Sequence, residues 1–465
     1  MGLTVTNINT LSLLNILNST TGAQSDSLQR LSTGSRINSG ADDPAGLIAV
    51  QGLNSELTST DAALNSNQRT KSQLNTADAA LKEVSNLILT IQSLAAKSTS
   101  SGGLSSAEIS ANQAEIDNAI TSIDRIIGTT QFNGKRLLDG TQAIRAVAST
   151  PTKVTDVRVY SRPTSNNNQN LAVNVITAGA VASGTLVNNP VAVSAAQVSI
   201  TGNLGNATIS VATGDTLAAI AAKVVATAND TGVSATVNGT SVRIQSRGYG
   251  TSQFVSASYI SGDADFAAGV AYTKGTDAVV SVDGQNAFVD GLKVSYNASG
   301  FSGDFTLTAL GNVVGGAGTI NITGGGATFQ LGSTTATQAT IGIAQLFSQN
   351  LGDGVTGYLN TLKSGGTNDL AHNPGQAVMI AKSALTQVAT QQGRIGGFSQ
   401  FQVDTSINSL NAAKQSLTSA RSIIQDVDFA AETAELSKQN VLLQSAVSLL
   451  GVASQQSAQI LQLLK

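Results

Sequence analysis

The chain has 465 residues, room for about three domains, yet charged residues make up only 11% of it and aromatic residues 4%. It has no Cys, no Trp, a single His, 46 Gly and a net charge of -3. This composition excludes disulfides, thiolate zinc and thiol nucleophiles, and it offers no basic footprint for nucleic acid.

The first segment, 3 to 33, reads as an almost uncharged amphipathic helix with Leu14, Leu17, Leu28 and Leu31 on one side. No apolar run approaches the roughly 18 residues of a membrane span. The first positive charge is Arg30, so the start lacks the basic region of a secretory signal, and an extracellular fate requires export without a cleavable one. A turn, Ser39-Gly40-Ala41-Asp42-Asp43-Pro44, follows, with Asp43 placed as N-cap and Pro44 as first helical residue of the next helix. That helix can run to about Lys97, roughly 80 Å at 1.5 Å per residue, before Ser98-Thr99-Ser100-Ser101-Gly102-Gly103 stops it. Along it Leu74, Leu81, Ile88 and Ala95 recur every seven residues, accompanied by Ala77, Val84 and Ile91. A shorter helix from Ser105 to Ile127 keeps the period with Ile109, Ile116 and Ile123, and Gln131-Phe132-Asn133-Gly134-Lys135 is a tight turn into strands.

From about 145 to 370 the chain is rich in Gly, Thr, Asn and Val, and alternating strands surround Asn238-Gly239 and Asp283-Gly284, each a type I′ hairpin signal. One helix interrupts them, Thr216 to Asn229, with Asp215 as cap and Leu217, Ile220 and Val224 facing inward. Helical periodicity resumes near Gln376, breaks at Gly393 to Gly397, and then runs nearly to Lys465. Its heptads are Leu410, Leu417, Ile424 and then Leu436, Leu443, Leu450, Leu464, with Ala446, Ala453 and Ile460 alongside. Gly451 sits inside this last stretch, where a close helix contact would explain it.

Each end therefore carries half a coiled coil. A strip that narrow leaves an isolated helix marginal in water, so partner helices must complete it, from the other end of the chain or from neighbouring subunits. Sites for chemistry are absent by the same reading. His372 lies in a turn before a helix, Asp42-Asp43 and Asp426-Val427-Asp428 sit at helix boundaries where carboxylates cap free N–H groups, and Gly134-Lys135 is followed by Arg136 rather than by the Ser or Thr of a phosphate loop. No catalytic, metal or cofactor residue is assigned.

Leu28 through Gly40 (LQRLSTGSRINSG), followed by Ala41-Asp42-Asp43-Pro44-Ala45-Gly46, resembles the most specific N-terminal block of the bacterial flagellins. The segment from Gln131 to Lys135 resembles that family's hairpin, and Asp426 through Leu464, with Glu432, Glu435, Leu436 and Leu443, resembles its C-terminal helix. Within the middle, Gly214 to Val237 is similar to a β-α-β module of flagellin insertions. The resemblance implies an α+β fold in which long terminal helices pair as a coiled-coil rod and β-rich domains are inserted outermost. In this arrangement 1–40 and 425–465 form the inner coiled coil, 41–144 and 371–424 a helical rod with a hairpin, and 145–370 a surface insertion that decorates the rod, its β-α-β module near 214–247. Arg36, Ile37 and Asn38 join the leucine series as packing residues.

The function implied is that of the subunit polymerising into the extracellular flagellar filament. The alternatives are the protein joining hook to filament, or a flagellin-like surface adhesin. Implied partners are further copies of the chain, an export chaperone, the filament cap and hook-junction proteins, with O-linked sugar on the insertion and export through the flagellar type III apparatus. The zinc protease found in some flagellin insertions is not expected, since its His-Glu-x-x-His motif is missing. The resemblance also places a host-receptor contact segment on the second helix, aligned through Leu94-Ala95, where the family's charges are replaced by Thr90 and Gln92.

Overall fold

A computed structural model describes residues 8–99, 104–164, 168–187, 191–192, 194–354 and 356–463. Its helices are α1 (Ile8–Thr33), α2 (Pro44–Ser98), α3 (Ser106–Thr129), α4 (Leu217–Ala226), α5 (Ala228–Thr231), α6 (Pro374–Phe398), α7 (Thr405–Gln425) and α8 (Phe429–Leu463), with the strands lying between Gln131 and Tyr358. The chain divides into one unit of Met1–Asn65, Gly332–Thr334 and Ser406–Lys465, and a second of Ser66–Leu331 and Thr335–Thr405.

The second unit has a helical part built on the heptads. Leu74, Leu81, Ile88, Ala95, Ala77, Val84 and Ile91 of α2 are fully buried, as are Ile116 and Ile123 of α3 and Ala381, Ala384 and Val388 of α6. Ser105 and Glu108 close a reciprocal capping box at the start of α3: the Ser105 hydroxyl accepts from Glu108 N, and the Glu108 carboxylate accepts from Ser105 N at 2.7 Å. After α3, Asn133 and Gly134 take positive φ of 50° and 77°, the pairing of a type I′ turn.

Two β bodies follow. The first runs, in sheet order, through Gln285–Asn286, Val279–Val282, Gln169–Thr177, Gly315–Gly325, Ile144–Ala148, Val154–Ser161, Phe301–Leu307, Lys293–Ala298 and Phe288–Asp290. Its two ends meet where Ala287 N donates to Val280 O at 2.9 Å, so the sheet curls around a core of Leu171, Val280, Val294, Phe301 and Phe305. The second body packs α4 against a three-stranded and a four-stranded sheet around Ile200, Ile220, Val224, Ile244 and Phe266. Leu217 is buried beside them.

Four local readings change. The N-cap of α4 is Thr216, whose hydroxyl accepts from Ala219 N. Asp215 instead accepts from Ala212 N and binds Lys223 Nζ at 2.5 Å, because a lysine two turns on competes for the carboxylate. The hairpin near Asn238 closes on Gly239-Thr240, with Asn238 paired to Ser241 and positive φ only at Gly239, the pattern of a type II′ turn. Helix α6 passes through Gly393, Gly396 and Gly397 without breaking. A helical Gly costs about 1 kcal/mol relative to Ala, and the buried face of Gln391, Ile395 and Phe398 offsets that here. The irregularity comes later, as a wide π turn at Ser399–Asp404, and the real break falls at Asp426–Asp428. Around Gly451 the described residues place nothing within 4 Å of an added Cβ, so no close contact among them accounts for it.

Residues of the middle segment also bind the helices of the same unit, which plain decoration would not require. Between residues 345 and 373 the chain has little regular structure and is held by side chains. Asp124 accepts from Ser348 N and Oγ, both at 2.8 Å; Asp117 accepts from Ser364 N and Oγ; the buried Gln113 donates to Leu362 O and accepts from Leu370 N. From α6, Arg394 lays its guanidinium 3.3 Å from the ring centroid of Tyr160, whose hydroxyl donates to the buried Asp304 at 2.6 Å. Burial, then the Asp304 carboxylate, pushes the Tyr160 hydroxyl well above the ordinary phenol range, so it stays a donor.

Two outcomes follow from these contacts. Arg394→Ala removes the cation stacked on the Tyr160 ring, a loss of about 0.5–2 kcal/mol; urea denaturation of the monomer measures it, and an unchanged midpoint would contradict the contact. The second concerns acid. Burial pushes the Asp117 carboxyl up, but hydrogen bonds from Ser364 and Gln113 and the charge of Lys363 hold it below its ordinary value. Asp369 is likewise lowered: burial opposes, while His372 and Gly365 N win. Depressed carboxyls stabilise the fold above the unfolded aspartate value of about 3.9 and lose that contribution as pH falls through the folded value. Protection factors for residues 360 to 373 are therefore expected to fall below about pH 4 ahead of those in the α2 core, and uniform loss across the unit would contradict this.

Candidate assembly surface

The first unit brings the two ends of the chain together. Helix α1 ends at Gly34, which takes φ +72° and donates to Arg30 O at 2.8 Å, a left-handed cap suited to glycine. The next residues run antiparallel to the link between α7 and α8. Arg36 N donates to Gln425 O at 2.6 Å, Val427 N donates to Gly34 O at 3.0 Å, and Ser35 bridges Asp426. The Arg36 side chain donates to Ile424 O at 2.8 Å, so it places a cation on the carbonyl end of α7.

The rest of the block closes on itself. Asn38 donates to Ser35 O, and Asp42 accepts from Asn38 N, Ser39 N and the Ser39 hydroxyl. The backbone bond from Ser39 leads in holding the Asp42 carboxyl below its ordinary range. Asp43 caps α2 by accepting from Gly46 N at 2.9 Å, with Pro44 the first residue of the helix. A Cβ on Gly46 would crowd the capping Asp43 carboxylate and lie 2.6 Å from the end of the buried Ile37 side chain, so a larger residue there would have to displace both. Across the junction Asp428 caps α8, accepting from Ala430 N and Ala431 N. Both paired-carboxylate sequences thus serve as caps and turns.

From this junction α1 and α8 run along each other. Arg30 lies 3.9 Å from Glu432 in the first turn of α8, and Gln24 donates to Asn440 at 2.8 Å. Among the described side chains this pairing buries Thr20, Ser27, Gln439 and Ala446, with Leu17 and Leu31 half-covered. Leu14 and Leu28 are 43% and 51% exposed, so α8 does not cover them as it half-covers Leu17 and Leu31. Leu410, Leu417, Ile424, Leu436, Leu443 and Leu450 are half-buried, in contrast to the fully covered Leu74, Leu81 and Ile88. The side chain of Ile460, and Leu464 altogether, lie outside the described residues.

What the heptads miss is the opposite rows. Leu11 and Ile16 of α1, Ile423 of α7, and Phe429, Val441, Val447, Leu449 and Val452 of α8 are all exposed, Ile423 at 78%. A repeat search favours the most regular series and passes over apolar residues on the flanks, although the sequence displays them. This seam buries Ala446 with Thr, Ser and Gln and only half-covers its leucines, while other apolar side chains stay exposed beside it, so further apolar burial is available outside the pair. Helix α7 is tied to the start of α2 by polar contacts, Lys414 to Asp61 at 2.7 Å and Arg421 to Asn54 at 3.3 Å, and likewise buries no residue fully.

Chemistry finds no comparable site. Among the described residues no group of three or more His, Asp or Glu could hold a metal, and no helix is long and apolar enough to cross a membrane. His372 pairs with Asp369 at 2.5 Å rather than standing free in its turn. In the segment compared with the host-receptor contact, Thr90 is exposed and bonds Asn86 O, Gln92 is half-covered, and Leu94 is buried, which removes Leu94 from the accessible surface.

Known proteins share this organisation. Residues 5–143 match the family described as the bacterial flagellin N-terminal helical region, 378–464 match the bacterial flagellin C-terminal helical region, and 197–259 match the flagellin hook IN motif. The B-type flagellin of Pseudomonas aeruginosa is 30% identical over 512 aligned positions that take in 100% of both chains. The flagellin of Salmonella typhimurium is 27% identical, covering 99% of each, and that of Clostridium tyrobutyricum 26% identical, covering 93% of this chain and 94% of that one. With both helical ends matched and the full length aligned, the chain belongs to the bacterial flagellins, the structural subunits of the flagellar filament.

Proposed function

We propose that the paired terminal helices α1 and α8 form the inner layer of the filament, with α2, α3, α6 and α7 as the surrounding rod and the β bodies outermost. The observation that carries this is the run of exposed apolar residues on α1, α7 and α8 beside a polar seam. Polymerisation supplies the missing apolar partner. The chain acts by packing and not by catalysis, and its partners are identical copies, an export chaperone of the flagellin type that covers α8 before assembly, and the cap and hook-junction proteins at the filament ends. Export runs through the flagellar type III apparatus, and Ser and Thr of the β bodies are the sites for O-linked sugar. Mass spectrometry of filaments sheared from cells tests that last point, and unmodified mass would remove it.

Burying one Val or Leu contributes about 1.5–3 kcal/mol. Leu14→Asp or Val447→Asp is therefore expected to raise the monomer concentration needed for polymerisation by about 10- to 100-fold, with the circular dichroism of the monomer unchanged. Truncation after Ser437 is expected to abolish filaments. Normal polymerisation of the truncated chain, followed by electron microscopy, would sink the inner-layer assignment.

The same alignment yields a statement about animal hosts. An arginine that anchors an interface commonly dominates its affinity, and the exposed Thr90 and half-covered Gln92 of α2 replace the family's charges. Activation of the innate flagellin receptor by free monomer is expected to be weaker by around a hundredfold or more than that of a strongly stimulatory flagellin. Equal potency in a reporter assay would overturn this reading, and partial recovery with Thr90→Arg would support it.

A further inference from the structure

The outer surface of the first β body carries an apolar row that the filament reading does not use. Strand Gln169–Thr177 turns Leu171, Val173 and Val175 inward, and then exposes both Ile176 and Thr177 at an irregular step in its pairing with Val279–Val282. Thr177 pairs with the exposed Val279. On the other side of Val279–Val282, Ala287 bonds Val280, which brings Phe288 next to Val279, and Phe288 is 74% exposed. On the remaining side Val313 and Val314 directly precede Gly315, the partner of Val175, and are 63% and 66% exposed. The loop that presents them is fixed, because Asn312 is buried and bonds both Gly179 N and Gly179 O. None of these positions bears a charge, and Phe288 stands on a three-residue strand where the two ends of the sheet meet, so the exposed apolar side chains run on across that closure.

We infer that this row, Val313, Val314, Ile176, Val279 and Phe288, is a contact between the β bodies of neighbouring copies in the filament. The inference rests on the filament reading. Its occupant follows from size. Five side chains fall well short of the roughly 800 Å² per partner that a stable complex of free proteins buries, so the row cannot hold a soluble partner from dilute solution. A neighbour fixed in place by other contacts needs no such area, since its effective concentration is set by the assembly. Subunits of a helical polymer meet head to tail, so the facing surface is a different part of the neighbour and the free monomer has no reason to pair through this row.

The chain has no Cys, so a single introduced thiol reports on one position. Phe288→Cys and Val313→Cys are compared with Thr240→Cys at the exposed tip of the Val233–Asn238 hairpin, each labelled with a thiol-reactive maleimide as dilute monomer and as filament. The row predicts fast labelling of all three in the monomer, and labelling of positions 288 and 313 at least about tenfold slower in the filament, as a packed contact excludes solvent, with position 240 unchanged. Equal rates at 288 and 313 in monomer and filament would overturn the contact, whether the row lies open or serves a different partner. Slow labelling already in dilute monomer would overturn it too, by showing that the row is covered without a neighbour. Failure of the wild-type chain to polymerise would instead count against the filament reading itself.

Discussion

The terminal unit hangs on one short antiparallel contact, where Gly34, Ser35 and Arg36 lie against Gln425, Asp426 and Val427. More than 380 residues separate its two sides, so the closure entropy of a very long loop stands against it. Three backbone and side-chain bonds from Arg36 and Val427, two caps at Asp43 and Asp428, and the close packing of Gly46 on Ile37 offset that cost locally. Once the contact forms, α1 and α8 leave it side by side, and Arg30 meets Glu432 one turn further on. The dense motif from Leu28 to Gly46 is thus a folding joint, and its polar residues bind the chain itself rather than a ligand.

The helices that leave the joint are marginal by construction. A seam containing Thr20, Ser27 and Gln439 contributes little apolar burial, while Ile16, Val441, Val447 and Leu449 remain in water. In the second unit the balance is reversed: Leu74, Leu81, Ile88 and Ala95 of α2, Ile116 and Ile123 of α3, and Ala381, Ala384 and Val388 of α6 are fully buried. A filament subunit gains from this division, with apolar burial complete in one unit and apolar surface left on the other for its neighbours.

The buried face of α2 was legible in the sequence because a repeat of seven forces one face of a helix to be apolar, and Leu74, Leu81 and Ile88 are buried as the repeat requires. Leu14 and Leu28 show its limit, since a repeat marks a face without saying which neighbour covers it. The Asp43-Pro44 start and the Asn133-Gly134 turn were legible because their chemistry is local. The cluster of Arg394, Tyr160 and Asp304 was not, because its members come from three distant segments and none stands out alone. Nor was the span from 345 to 373, whose order comes from single side chains such as Asp124 and Gln113 rather than from any periodic pattern. Gly393 to Gly397 read as a break because propensity speaks for the isolated helix, and packing along α6 overrides it.

The central claim is that α1 and α8 find their apolar partners only in the polymer. Amide hydrogen exchange on residues 8 to 33 and 429 to 463, in dilute monomer and in assembled filaments, measures it directly. The account predicts weak protection of both segments in the monomer, against strong protection of residues 74 to 95 in the same molecules, and protection of all three in the filament. Strong protection of α1 and α8 in dilute monomer, unchanged on assembly, would contradict it.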